Sequence, residues 1–246
     1  MNNTSITWEL KGTLAWSVAI GLLLAISQII PLFIYALAVE PDVDLNVLRR
    51  YMGLMENDAF LLGFMAIGST LLLVPLVLWI AKLKKGSDLR DYFSLNVVTP
   101  KVLGFWLLIA ILLLLFQAFF MWLMGLQQIP DSMLNIEYPS ELSKWLLVLG
   151  VAFFAPVLEE VIFRGFLLKG LANSSLGAYG AIFLTSLVWA VIHAQYEWGY
   201  LVLIFMIGLV LGYARIRTNS LFVPIMMHVF FNLVACIELY LAKGIL

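Results

Sequence analysis

The chain has 246 residues; 63% are hydrophobic and 12% are charged, about half the charged share of a soluble domain. With 14 basic and 15 acidic residues the net charge is −1, and the mean hydropathy is +1.03. Together these exclude a soluble globule, a disordered tail and a basic nucleic-acid binder, so no nucleic-acid partner is expected. The one cysteine, Cys236, lies in an apolar run and leaves no intramolecular disulfide to form.

A spanning helix needs about 20 apolar residues, because a rise of about 1.5 Å each must cross about 30 Å of hydrocarbon. In chain order, seven stretches qualify or nearly qualify: 13–38, 59–81, 102–126, 145–171, 178–196, 198–214 and 221–242. An eighth span stays open, and the sixth stretch is short enough to be tilted or re-entrant. None alternates polar and apolar residues as barrel strands do. The expected fold is therefore all-α, a polytopic transmembrane helix bundle. Ala36-Leu37-Ala38 at the end of the first stretch looks like a signal-peptidase site. The apolar run before it, about 25 residues, exceeds the roughly 7–15 of a signal peptide, so it is read as a span. No repeat, low-complexity tract or soluble domain is visible.

The charges between spans sort by side. Lys11, Lys82, Lys84, Lys85, Arg90, Lys101, Lys169, Arg215 and Arg217 fall on one side; Arg49, Arg50, Lys144 and Lys243 fall on the other with most of the acids. The positive-inside rule predicts a cytoplasmic N-terminus in an integral membrane protein, of the plasma membrane if the host is bacterial.

A charge near the bilayer centre costs about 2.5–3.5 kcal/mol on insertion scales and marks a functional candidate. Three such charges, Glu159, Glu160 and Arg164, fall on one helix. Glu160 and Arg164 are four apart and can pair on one face. Glu159 points about 100° away from Glu160 and is left free, as a general base requires. A polar packing knot would explain Glu160 and Arg164 but leaves Glu159 unused. Both histidines of the chain, His193 and His228, also lie in apolar stretches, and Asn232 shares a helix face with His228. Glu159 and His193 are equidistant in sequence from the turn signal Asn173-Ser-Ser-Leu-Gly177, which in a helical hairpin brings them to one level. Trp189, four before His193, shares its face and either walls the site or packs. Gly208 and Gly212 form a G-x-x-x-G packing face. Ser69, Gln28 and Gln117 are expected to make interhelical hydrogen bonds, and Trp145 and Trp198 to anchor span ends.

Glu159-Glu160-x-x-x-Arg164, Trp189-x-x-x-His193 and His228-x-x-x-Asn232, in this order, resemble the three motifs of the CPBP intramembrane proteases. That family comprises the CAAX prenyl endopeptidases and the Abi-type bacteriocin-processing and immunity proteins. The run from Gly208 to His228 is similar to the family's linking segment, and Trp189 stands where the second motif usually carries Phe. The resemblance divides one membrane domain into N-terminal transmembrane helices (1–140), a protease-like core (145–235) and the end of the last helix with a short tail (236–246).

The resemblance implies an intramembrane endopeptidase that hydrolyses a membrane-associated or lipidated peptide in the bilayer. By position, Glu159 would activate water, with His193 holding or polarising it. His228 and Asn232 would stabilise the oxyanion, and Glu160, Arg164 and Trp189 would support them. Glu159, His193 and His228 can form a His2Glu zinc set, and a metal-free, glutamate-activated water is equally open; H-E-x-x-H is absent. An ion- or proton-coupled carrier and a non-catalytic immunity-type membrane protein remain as alternatives.

Overall fold

The computed structural model describes residues 7–40 and 42–245. Among the described residues it is all-α, with ten helices, and the nearest approach to a sheet is one isolated bridge, Asp58 to Glu137. In chain order these are α1 (Leu10–Val39), α2 (Leu45–Leu54), α3 (Ala59–Lys82), α4 (Leu89–Phe93), α5 (Pro100–Met124), α6 (Asp131–Leu134), α7 (Glu141–Ala172), α8 (Gly177–Val191), α9 (Trp198–Thr218) and α10 (Phe222–Ala242). Six of them, α1, α3, α5, α7, α9 and α10, are long and apolar enough to cross a membrane, and α8 is a shorter apolar helix. The sixth stretch is a full helix of 21 residues, not the short element expected. The fifth is the short one: α8 has 15 residues and ends at Val191, so His193 lies just beyond it in the connection to α9. Apolar sequence runs on through Ile192, so composition alone does not mark that end.

Local chemistry starts and stops these helices. Asp58 accepts from the backbone of Phe60 and Leu61 at the start of α3, and Thr99 with Pro100 opens α5. Asn219, at φ +45°, ends α9. The helices pack closely where side chains are small, as expected when dispersion drives association in lipid. A Cβ on Gly63 of α3 would come within 2.2 Å of the Leu146 carbonyl of α7. Gly150 of α7 lies against Gly63 from the other side, so the two backbones touch. Gly208 of α9 meets Ser186 and Trp189 of α8 in the same way, as its G-x-x-x-G spacing predicts. Ser69 donates to the Ser27 carbonyl at 3.0 Å, joining α3 to α1.

The main core surrounds the second half of α7, where Phe166, Leu168 and Leu171 are buried with Val77 and Ile80 of α3 and Leu211 and Ala214 of α9. Tyr92 and Phe93 of α4 close one end of this core, Tyr92 stacking on Phe166 at 5.7 Å. The segment after α4 is strapped to the α9–α10 turn. Leu221 N–H donates to the Ser94 carbonyl at 3.1 Å, and Ser220 Oγ to the Asn96 carbonyl at 2.6 Å. Arg215, sorted above with the loop charges, is 2% exposed in the last turn of α9 and donates to the Phe93 carbonyl. Its place at a span end describes depth along the helix, not which face it presents.

α7 is one continuous rod of 32 residues, but two stretches, Val148–Phe154 and Val161–Leu167, are wound as π-helix. They flank Ala155–Glu160, the turn that carries both glutamates. π turns are rare and concentrate at functional sites.

Candidate active site

Glu160 and Arg164 form the ion pair that their spacing predicts: Arg164 Nη1 lies 2.8 Å from Glu160 Oε1, and neither side chain is exposed. Arg164 Nη2 also donates to the Gly208 carbonyl at 3.2 Å, tying α7 to the close-packed face of α9. His228 of α10, 5% exposed, places Nδ1 2.9 Å from the same Glu160 oxygen. With a carboxylate as partner, Nδ1 carries the hydrogen and Nε2 is left open. Glu160 therefore gathers α7 and α10 around one buried negative charge that Arg164 balances.

Glu159 points elsewhere, as the helical geometry requires. Its Oε2 accepts the Trp189 indole N–H at 2.6 Å, and the carboxylate is only partly buried. Trp189 connects the two carboxylate systems. Arg164 Cζ lies 4.5 Å from the ring centroid, and the His193 and His228 rings each meet it edge-on at 5.3 Å. His193, past the end of α8, turns its Nδ1 back to the Trp189 carbonyl at 2.7 Å. That carbonyl belongs to the unpaired last turn of the helix, so the imidazole caps it. A carbonyl can only accept, so His193 too holds its hydrogen on Nδ1 and keeps Nε2 open.

Asn232 donates Nδ2 to the Val151 carbonyl at 2.8 Å. The reason lies in the first π stretch. Ala155 N–H, which would bond Val151 in an α-helix, bonds Gly150 instead. The next N–H along would be that of residue 156, a proline, which has none. The orphaned carbonyl is met by Asn232 from α10, leaving the second N–H of its amide free.

All seven candidate site residues thus lie on α7, α8 with the turn after it, and α10, and direct contacts join six of them through Trp189 and Glu160. Asn232 joins through Val151, one face of α7 away. Sequence reasoning missed Tyr196, which is partly buried, stacks on His193 at 6.4 Å and lies within electrostatic reach of Glu159. Its signal was only an aromatic residue three after the histidine. Gln28 and Gln117 make no hydrogen bond among the described residues, against expectation. The zinc set also fails to assemble. Among the described residues no three His, Cys, Asp or Glu side chains are grouped to hold a metal ion. The reason is geometric: His228 is turned to Glu160, His193 to a backbone carbonyl, and Glu159 to an indole.

Charges enclosed between apolar helices, with a free carboxylate and two oriented imidazoles beside them, mark an integral membrane protein that encloses a polar cluster. The comparisons agree. Residues 141–234 match the family model described as type II CAAX prenyl endopeptidase Rce1-like, the kind of family that the three motifs resemble. The matched segment contains all three motifs, from Glu159 to Asn232. An uncharacterized 24.3 kDa protein of Escherichia coli is 29% identical over 157 residues, which cover 61% of this chain and 66% of that protein. No solved structure matches the chain.

Proposed function

We propose that the protein is an intramembrane endopeptidase that cleaves a membrane-associated or lipidated peptide with water activated by Glu159. The observation that carries this reading is the division of labour between adjacent glutamates: Glu160 is enclosed in an ion pair, while Glu159 keeps one carboxylate oxygen unbound. Oε1 of Glu159 takes a proton from water as that water attacks the scissile carbonyl, a role worth about 10²–10⁴-fold in rate. His193 Nε2, an acceptor in the tautomer fixed by the Trp189 carbonyl, holds the second hydrogen of the water. The proton taken up by Glu159 then passes to the leaving amine.

His228 faces the developing oxyanion with Nε2 and stabilises it when protonated. The Glu160 carboxylate at its Nδ1 supports the imidazolium as the buried aspartate does in a Ser-His-Asp triad. The free N–H of Asn232 supplies a second donor. The Val151 bond fixes the amide plane, so that donor is held ready before the substrate arrives. A cytoplasmic N-terminus follows from the charge distribution.

The test is cleavage by protein purified into liposomes, using two quenched-fluorescence probes. One is a peptide ending in a farnesylated cysteine and three further residues, and the other an unlipidated apolar transmembrane peptide. Wild type is expected to cleave at least one of them, while Glu159→Ala and His228→Ala lose at least about 100-fold in rate. Equal rates in all three proteins would refute the proposal, and the preferred probe names the substrate class.

A further inference from the structure

Trp189 stands where the resembled motif usually carries Phe, and the structure gives that difference a chemical content. A phenyl ring at this position would keep the edge contacts with His193 and His228 and the face under Arg164. It would lack the N–H that reaches Glu159. That bond is short, at 2.6 Å, in the direction that an ionised acceptor favours. Trp189 is 3% exposed, and a buried indole N–H needs an acceptor; the acceptor found here is Glu159. The other contacts fix the ring itself: two imidazoles meet it edge-on and a guanidinium lies over its face, while its backbone carbonyl is bonded to His193. A donor on a ring packed against three side chains is a rigid one.

We propose that Trp189 is a positioning residue: its indole N–H fixes one oxygen of Glu159 and so turns the other toward the attacking water. The inference rests on the endopeptidase reading and adds to it a contact that a phenylalanine at this position cannot make. A carboxylate at the end of three rotatable bonds sweeps several ångströms, and misplacing a reacting group by about 1 Å costs on the order of 100-fold in rate. Tying Oε2 removes that freedom without blocking Oε1. The same bond holds the side chain away from Arg164, which keeps Glu159 from competing with Glu160 for that guanidinium.

Trp189→Phe separates this role from simple packing, since it removes the donor and keeps an aromatic ring. In liposomes, with whichever of the two quenched probes the wild type cleaves, kcat is expected to fall about 10- to 100-fold with KM within about twofold and the thermal midpoint unchanged. Ultraviolet resonance Raman spectra supply a readout that does not depend on turnover. Glu159→Ala is expected to shift one indole N–H band from strongly bonded to unbonded, and the same substitution made in Trp189→Phe is expected to shift none. A fully active Trp189→Phe beside an inactive Glu159→Ala overturns the positioning role alone, as does an indole shift that persists in the double variant. Cleavage by Glu159→Ala at the wild-type rate overturns the peptidase reading and the positioning role with it.

Discussion

Glu160 and Arg164 carry full charges with no solvent exposure, and their energetics differ from those of a surface pair. Desolvation of each ion is offset only while the other is present, so removing one partner typically costs about 3–5 kcal/mol, whereas replacing both is far milder. Arg164→Met is therefore expected to lower unfolding free energy by about that amount, measured by denaturant titration in detergent. Glu160→Gln combined with Arg164→Met should recover much of the loss, and a double-mutant cycle reads the coupling directly. This pair was legible in the sequence because an i,i+4 spacing on a helix is a local property. The partners of Glu159 and His193 were not. Trp189 shares a face with His193 in the sequence, but its reach to Glu159 depends on how α8 is rotated against α7, which no single helix encodes. The burial of Arg215 was hidden for the same reason: hydropathy reports depth, whereas burial depends on the neighbouring α4.

At the scale of the element, α7 is the instructive case. Its length and apolarity were legible, but its π segments were not, because a reading at 3.6 residues per turn assumes the winding that they break. Pro156 carries the clue. Five residues after Val151, it removes the N–H that a π turn would offer that carbonyl and leaves the bond to Asn232. Pro156→Ala restores a donor and permits α-helical winding. The variant is expected to keep or raise its thermal midpoint while losing about 10-fold or more in cleavage rate, since a donor to the oxyanion loses its orientation. Unchanged kinetics would detach the Val151–Asn232 bond from function. The adjacent Gly63–Gly150 contact was equally hidden: neither glycine belongs to a G-x-x-x-G pair, and only the crossing of α3 over α7 brings them together.

For the whole molecule, the all-α bundle and nearly every span were legible, since about 20 apolar residues in lipid leave a helix little alternative. Orientation belongs to this scale too, and its test is direct because Cys236, the one cysteine, is buried. A cysteine placed at Lys85, in the basic loop between α3 and α4, is expected to react with a membrane-impermeant maleimide only from the cytoplasmic side of oriented vesicles. One placed at Asn135, between α6 and α7, is expected to react only from the opposite side. The reverse pattern would invert the molecule and its active site with it.

The brevity of α8 has a consequence for the bilayer around it. Fifteen residues rise only about 22 Å, against about 30 Å of hydrocarbon. The six residues that follow, 192–197, include His193 and Tyr196 and form irregular backbone before α9 begins. Such backbone is tolerated at hydrocarbon depth only against protein or a wet cavity, and a short helix draws the lipid surface down to meet it. The missing turns of α8 would draw a dimple in the bilayer through which solvent descends to His193 and Glu159. The proposed peptidase must import water as its second substrate, and ending one helix early would make the inlet.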